Sequence, residues 1–232
     1  MRLRQSYNVF MKTTVLSCLS LYTANVLQAQ QVDSSYHNYL YDSRVAYFKQ
    51  LPPVNKAIVF WGDSITDWGD WAELLHFKKA INRGIAGDNT YGLRARLDEV
   101  LRHHPQKLFM LIGTNDINKK IPESLIVDNY KKIILAVKKQ SPATIIYVQS
   151  VFPINNQLIG RQYYTGTNEQ IVALNKALQQ MAAGEQVRYV DVYSQLLDTI
   201  QQLDARYTYD GLHLSGLGYL AWIKCLKDQR LL

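Results

Sequence analysis

Two short runs of the chain are almost continuously apolar and stand out from its mixed background. They span residues 57–61 and 107–112, and runs of this length are typical of strands buried on both faces of a parallel sheet. Similar runs predict three further strands at residues 80–82, 144–151 and 187–192. The sequence therefore predicts a five-stranded sheet.

The segments around these strands carry apolar residues at helical spacing. Pro52-Pro53 stops the first helix, and Thr167 with Gln170 forms a capping box for a later one. Helices are predicted over residues 37–51, 71–77, 91–101, 122–140 and 167–184, and from Ser215 to about residue 226. This alternation predicts an α/β protein in three layers, an α/β/α sandwich.

The N-terminus reads as a targeting segment rather than as part of the fold. Lys12 precedes a largely apolar run over residues 15–27, and Ala29 offers a small residue for cleavage. We predict a signal peptide over residues 1–29, a single domain over residues 30–232, and a secreted or periplasmic protein.

Two alternatives to a cleaved signal peptide stay open, a membrane anchor and a lipoprotein, and the first residue of the protein is also open. A membrane anchor needs about 18 apolar residues, and this run is shorter. A lipoprotein attached through Cys18 would have a very short apolar stretch before the cysteine. Met11 is a second possible start. We expect no stable membrane insertion once the segment is removed.

Charge and cysteine content exclude some classes of protein. Removing residues 1–29 lowers the basic residues from 26 to 23 against 19 acidic ones, so the net charge falls from +7 to about +4. Cys225 then remains alone, which excludes an intramolecular disulfide. Paired lysines at 119–120, 131–132 and 138–139 lack interleaved aromatics, so we interpret them as solvated faces and predict no nucleic-acid partner.

Polar residues follow the predicted strands where each strand ends. Ser64 comes directly after residues 57–61, and Asn115 after residues 107–112. Because the carboxyl ends of parallel strands meet at one edge of a sheet, both side chains are expected at the same rim.

A serine hydroxyl needs a neighbouring base to become a nucleophile, and His213 is the one histidine beside a carboxylate in a late loop. Asp210, three residues earlier, is expected to hold the imidazole while its other nitrogen faces Ser64. The order Ser, Asp, His also occurs in α/β-hydrolases. Their nucleophile elbow has glycine two residues after the serine, whereas this chain has Thr66, which disfavours that fold.

Attack on an ester creates an oxyanion that requires fixed hydrogen-bond donors. The candidates are the Ser64 amide, the Gly87 amide and the Asn115 side chain. Glycine suits the second position because bare backbone lets a substrate approach closely.

Four sequence blocks at residues 62–66, 82–88, 113–116 and 210–214 together resemble those of the SGNH hydrolases, also called GDSL esterases. The family is named after the serine, glycine, asparagine and histidine that match Ser64, Gly87, Asn115 and His213. The resemblance extends from about residue 58 to residue 220.

This resemblance implies a flavodoxin-like five-stranded parallel sheet and hydrolysis of esters or thioesters through an acyl-serine. It also implies no metal and no organic cofactor. The chain is most similar to the acetylhydrolase-like branch, which includes platelet-activating-factor acetylhydrolase subunits and bacterial sialate and other carbohydrate O-acetylesterases.

The stretch from Phe152 to Gly166 follows the fourth predicted strand and mixes amides, an arginine and aromatic rings. Such a mixture suits a sugar better than a long acyl chain, which would need a continuous apolar trough. We therefore hypothesise O-deacetylation of a glycan, sialic acids included. The candidate substrate contacts are Trp68, Phe152, Arg161, Tyr163 and Tyr164, although Trp68 and Trp71 serve equally well as anchors of the next helix.

Two rival functions remain. A lysophospholipase or thioesterase would use the same Ser64 site, and a glycan-binding module without turnover would need none of its chemistry. His103 and His104 are interpreted as helix caps, His37 and His76 as surface or boundary residues, and no metal-ligand spacing emerges. Asp63, Asp88 and Asp116 are interpreted as acceptors that brace loops.

Overall fold

The five predicted strands are present and all run parallel. A computed structural model describes residues 32–232, so the predicted signal peptide lies outside the described residues. The strands are β1 (Ile58–Gly62), β2 (Ala80–Gly84), β3 (Lys107–Leu111), β4 (Ile145–Gln149) and β5 (Arg188–Val190). Their spatial order is β2-β1-β3-β4-β5, the flavodoxin-like order. The predicted α/β fold is confirmed.

Helices connect the strands and cover the sheet. They are α1 (Tyr39–Gln50), α2 (Ser64–Asp67), α3 (Trp71–Leu74), α4 (Thr90–Ala95), α5 (Leu97–Leu101), α6 (Thr114–Asn118), α7 (Glu123–Gln140), α8 (Asn168–Gly184) and α9 (Gly216–Asp228). Two short 3-10 turns cover Tyr193–Leu196 and Ala205–Tyr207. Among the described residues, no helix combines the length and the apolar character needed to cross a bilayer.

Strand β1 supplies both halves of the core because alternate side chains point to opposite faces of a strand. Val59 and Trp61 belong to the cluster that contains the buried faces of α5, α7 and α8. Ile58 and Phe60 belong to the opposite cluster, which includes Trp222 of α9. All five residues of β1 are buried, as the continuous apolar run predicted.

The register brings the strand ends to one level. Gly62, the last residue of β1, lies opposite Gly84 of β2 and Leu111 of β3. The loops after β1, β2 and β3 therefore leave the sheet side by side. The segments after these strands carry Ser64 in α2, Gly87 in a turn and Asn115 in α6, at the rim that the sequence predicted.

The predicted helix over residues 91–101 is two helices, α4 and α5, which break at Arg96 (φ −111°, ψ 20°). The Arg96 guanidinium is buried and donates to Asp88 at 2.9 Å and to the Gly62 carbonyl oxygen at 3.0 Å. Apolar spacing continues through this point, so the break follows from a tertiary ion pair that the local pattern does not contain.

The interpretation of His103 as a helix cap is wrong. Its side chain is completely buried, where Nδ1 accepts from the Val54 amide at 2.9 Å and Nε2 lies 3.2 Å from Glu99. His104 is exposed and takes the left-handed conformation (φ 44°) just beyond the end of α5. His103 therefore ties the segment after α1 to α5.

Candidate active site

Ser64 is the first residue of α2, directly beyond the end of β1. The Asp63 side chain caps this helix by accepting from the Ile65 amide at 3.0 Å. Bare backbone surrounds the turn: a Cβ atom on Gly62 would lie 2.1 Å from the Leu111 carbonyl oxygen, and one on Gly84 would lie 2.1 Å from the Asp67 nitrogen. The position of Ser64 is thus set by close contact between the turn and its two neighbouring strands.

His213 reaches Ser64 from a loop 149 positions away in the sequence. The loop is closed by an antiparallel bridge between Thr208 and Leu214, and Gly211 within it has φ +86°. His213 Nε2 lies 3.0 Å from Ser64 Oγ. This distance allows the serine hydroxyl to donate to the imidazole.

Asp210 holds the imidazole from its other side. Its Oδ2 accepts from His213 Nδ1 at 2.7 Å, and its Oδ1 accepts from the backbone amides of Leu212 and His213. Partial burial acts to raise the pKa of Asp210, but these hydrogen bonds outweigh it and hold that pKa below its ordinary value. The structure therefore brings together the predicted serine, histidine and aspartate.

The three predicted oxyanion donors lie in the segments that directly follow β1, β2 and β3. Gly87 has φ +80°, and a Cβ atom there would meet nothing within 4 Å, so this backbone faces open space. Among the described turns and loops, neither the Ser64 amide nor the Gly87 amide donates to a backbone acceptor. Asn115 Nδ2 uses one hydrogen on the Asp88 carbonyl oxygen at 2.9 Å, which fixes the amide and leaves the other hydrogen for a ligand.

The three aspartates beside these residues brace the loops, as predicted. Asp88 accepts from the Asn89 amide and from Arg96, and Asp116 accepts from the amide and the hydroxyl of Thr90. Burial raises the pKa of Asp63 to about 8 and that of Asp116 to about 6. Burial also raises the pKa of Asp88 to about 6, against the opposing pull of the Arg96 guanidinium.

The two tryptophans after Ser64 have different positions. Trp68 is 53% exposed and its ring stacks on His213, with ring centroids 4.0 Å apart and 28° between the planes. Trp71 is buried against Phe60 and donates to the Thr66 carbonyl oxygen. Trp68 therefore borders the site, and Trp71 anchors the turn.

Only part of the predicted substrate loop is available to a ligand. Phe152 and Tyr164 are each 2% exposed, so their predicted contact with substrate is wrong. Phe152 packs edge-to-face on Trp222, and Tyr164 belongs to the core cluster beneath α8.

The two other predicted contacts in this loop differ in availability. The Arg161 guanidinium donates to the Gly166 carbonyl oxygen and to the Asn156 side chain, so its hydrogen bonds are made within the loop. Tyr163, 80% exposed, remains a candidate.

The sequence reasoning missed Asp70 and Tyr209, which border the site next to Trp68. Tyr209 directly precedes Asp210, and Asp70 precedes Trp71, so proximity to the motifs was the available signal. Within residues 32–232, no group of three or more His, Cys, Asp or Glu side chains is arranged to hold a metal ion.

A parallel α/β sandwich with serine, histidine and aspartate in contact at the strand ends is the arrangement of a serine hydrolase. Residues 60–221 match the model of the GDSL-like Lipase/Acylhydrolase family. The chain therefore belongs to this family and is a carboxylic ester hydrolase of the GDSL type.

Several relatives support this membership. A Streptococcus pneumoniae structure provisionally described as a platelet activating factor has 36% identity and a TM-score of 0.75, over 82% of this chain and 92% of its own. Platelet-activating factor acetylhydrolase IB subunit alpha1 of Rattus norvegicus is 27% identical over 70% of this chain and 69% of its own length. The acetylxylan esterase Axe2 of Geobacillus stearothermophilus, 18% identical with a TM-score of 0.61 over 76% of this chain and 95% of its own, shares the fold.

One further match concerns part of a longer protein. The N-acylneuraminate cytidylyltransferase of Escherichia coli is 28% identical over 68% of this chain, but the chain spans only 36% of that protein.

Proposed function

We propose that Ser64, His213 and Asp210 form a catalytic triad and that the enzyme removes acetyl groups from carbohydrates. The observation that carries the triad is the continuous contact from Asp210 through His213 to Ser64, at 2.7 Å and 3.0 Å. These are hydrogen-bond distances that suit proton transfer from a nucleophile to a base.

In the proposed reaction, Ser64 Oγ attacks the ester carbonyl carbon while His213 Nε2 accepts its proton. The ionised Asp210 stabilises the resulting imidazolium. Negative charge forms on the carbonyl oxygen, where the amides of Ser64 and Gly87 and the side chain of Asn115 donate to it. The C–O bond then breaks, and His213 returns the proton to the departing alcohol.

The acyl-serine that remains is hydrolysed by the reverse use of the same groups. His213 takes a proton from water, the hydroxide oxygen attacks the acyl carbon, and the same donors stabilise the second oxyanion. Ser64 leaves with the proton from His213, and the carboxylic acid departs. The proposed cycle uses only these side chains, the two backbone amides and water.

The choice of an acetyl group on a carbohydrate rests on two kinds of support. The rat protein is named an acetylhydrolase and the Geobacillus protein an acetylxylan esterase. Both names indicate removal of an acetyl group, and in the second name the acetylated molecule is the polysaccharide xylan. The exposed ring of Trp68 beside His213 offers a flat apolar face next to the reacting bond, which suits a sugar.

A second candidate is hydrolysis of a phospholipid ester, favoured by the similarity to the rat acetylhydrolase subunit. The two candidates differ in substrate preference. We expect faster acetate release from acetylated oligosaccharides than from long-chain nitrophenyl or phospholipid esters. A preference for the lipid esters would reverse the assignment.

The Ser64→Ala variant tests the triad itself. We expect it to lose both ester hydrolysis and covalent labelling by a fluorophosphonate, since the reagent reacts with an activated serine. Ser43→Ala is the matched control, because Ser43 lies exposed on α1. If the wild-type protein binds a glycan but does not hydrolyse it, and Ser64→Ala binds that glycan equally tightly, the protein is a binding module instead.

We also propose that the protein is exported, on the basis of the basic and apolar pattern of residues 1–29. Cell fractionation followed by N-terminal sequencing tests this proposal. A mature chain that begins near residue 30 in the exported fraction is expected. A chain that retains residues 1–29 in the cytoplasm would contradict it.

A further inference from the structure

A shallow depression of about 310 Å³ lies next to Trp68, the residue that stacks on His213. Its rim carries the rings of Trp68 and Tyr209 and the carboxylate of Asp70, and Leu214, the residue after His213, contributes to its lining. None of these groups has a part in the proposed triad chemistry.

The reaction direction places the alcohol half of the substrate toward this depression. His213 Nε2 must protonate the departing oxygen, so the alcohol lies on the histidine side of Ser64. The proposed oxyanion donors Gly87 and Asn115 follow β2 and β3, and in the proposed reaction they contact the carbonyl oxygen rather than the departing oxygen. Trp68 stacks on the face of His213 and also lines the depression, so the depression adjoins the histidine side of the reacting bond.

The rim offers two recognition chemistries. Trp68 and Tyr209 are 53% and 76% exposed and line the same depression, so their rings are available for stacking. Asp70 precedes α3 but makes no capping bond to it, and among the described residues its exposed carboxylate has no hydrogen-bond donor. Its oxygens are therefore free to accept from hydroxyl groups.

The surrounding charges favour a neutral ligand. The Asp67 carboxylate is paired with Arg44 at 3.0 Å, so the unpaired negative charge at this rim comes from Asp70, with Asp210 nearby while His213 is neutral. A carboxylate on the ligand would be repelled by Asp70, whereas sugar hydroxyls would donate to it. Cation binding gains little at rings as exposed as these, because water already solvates the cation.

We propose that this depression is the alcohol subsite, where a neutral sugar stacks on Trp68 and Tyr209 and donates hydroxyl hydrogens to Asp70. The proposal rests on the proposed carbohydrate esterase function and narrows it. Acetylated neutral oligosaccharides are then preferred over acetylated sugars that carry a carboxylate, such as sialic acids.

The test compares the wild-type enzyme with Tyr209→Ala and Asp70→Asn on four acetyl esters. These are ethyl acetate, whose alcohol is too small to span the depression, an acetylated neutral oligosaccharide, an O-acetylated sialic acid and acetylcholine. For each protein, kcat/KM on the larger esters is divided by kcat/KM on ethyl acetate. Tyr39→Ala is the control, because Tyr39 is an exposed tyrosine on α1 that does not line the depression.

We expect both variants to lower the ratio for the neutral oligosaccharide about tenfold, mainly through KM, and the control to leave it unchanged. Asp70→Asn should also reduce the preference for the neutral sugar over the sialic acid, since the repelling charge is gone. This second effect separates the subsite from general damage to the site.

Three results would overturn the proposal. Unchanged ratios on an efficiently hydrolysed oligosaccharide would remove the subsite but keep the carbohydrate esterase. Loss of acetylcholine hydrolysis in Asp70→Asn, without an effect on the sugar, would identify a cation site instead. Hydrolysis of ethyl acetate but of no acetylated sugar would remove the carbohydrate function and the subsite together.

Discussion

At the scale of single residues, the proposed oxyanion site uses donors that are fixed before a substrate arrives. Asn115 is the clearest case, because its side-chain nitrogen is held by the Asp88 carbonyl oxygen at 2.9 Å. Donors that are already oriented stabilise a developing charge without a reorganisation cost during the reaction. The same residue would add little to binding of the uncharged ester.

Replacing Asn115 with alanine should therefore affect turnover more than binding. We expect kcat to fall about 100- to 1,000-fold with little change in KM, which is the usual result of removing one oxyanion donor. Steady-state kinetics on an acetyl ester measures both constants. A fall of less than about tenfold would place Asn115 outside the oxyanion site.

The acid side of the pH–rate profile is a second prediction at this scale. The proposed base must be neutral to accept from Ser64, so activity should fall as His213 becomes protonated. Hydrogen bonds hold the pKa of Asp210 below its ordinary value, so Asp210 stays ionised while the activity falls. We expect log kcat/KM to fall with a slope of one, as for a single proton. A flat profile would exclude His213 as the base.

At the scale of elements, the active-site turn depends on contact between α2 and β2. A Cβ atom at Gly84 would lie 2.1 Å from the Asp67 nitrogen and 2.5 Å from its Cα, and both are backbone atoms that no side-chain rotation can move. The helix that carries Ser64 would have to shift away from the sheet.

We therefore expect Gly84→Ala to lower both stability and turnover. Overpacking of this kind costs roughly 1–3 kcal/mol of unfolding free energy, and the displaced Ser64 should reduce kcat as well. Gly184→Ala is the matched control, because a Cβ atom at the end of α8 meets nothing within 4 Å. Urea unfolding and kinetics should show an active control of equal or slightly greater stability. Equal unfolding free energies and equal kcat values for Gly84→Ala and Gly184→Ala would contradict a close contact between α2 and β2.

Elements with local signals were predictable from the sequence. The capping box of Thr167 and Gln170 is present, Ser215 caps α9, and the continuous apolar runs became the central strands β1 and β3. These features depend on a few neighbouring residues, so the sequence contains the information directly.

Features that depend on tertiary contacts were not predictable. The break at Arg96 requires Asp88, and the burial of His103 requires Glu99 and Val54. In the loop after β4, aromatic residues alone do not reveal which ring faces the core, so Phe152 and Tyr164 were assigned to the wrong side. The placement of the site motifs at one rim was predictable because parallel strand order brings the segments after the strands together.

At the scale of the whole molecule, the fold gathers three carboxyl groups beneath one rim. Asp63, Asp88 and Asp116 follow three different strands and are each about 1% exposed or less. Burial raises the pKa of all three, and the neighbouring charges of Asp88 and Asp116 raise that of Asp63 further, to about 8. The folded protein thus holds protons that the unfolded chain releases near pH 4.

This arrangement makes stability depend on pH. A carboxyl with a raised pKa in the folded state stabilises the fold most at low pH, and this contribution is lost as pH rises through the folded value. The contributions of Asp88 and Asp116 end near pH 6, whereas that of Asp63 continues to about pH 8.

Asp63→Asn should therefore flatten the decline in unfolding free energy between pH 6 and pH 8. The amide oxygen can still accept from the Ile65 amide, which preserves the cap of α2. Urea unfolding of both proteins across this range gives the comparison. Parallel curves for the two proteins would show that Asp63 is already ionised at pH 6.

The stacking of Trp68 on His213 has an optical consequence. Three of the four tryptophans are fully buried, and Trp68 alone meets solvent, so a soluble quencher such as acrylamide isolates its emission. Because the indole lies 4.0 Å from the imidazole, a charge gained by that ring should dim its fluorescence. The enzyme thereby contains an intrinsic light signal for the state of its base, readable without any chromogenic ester.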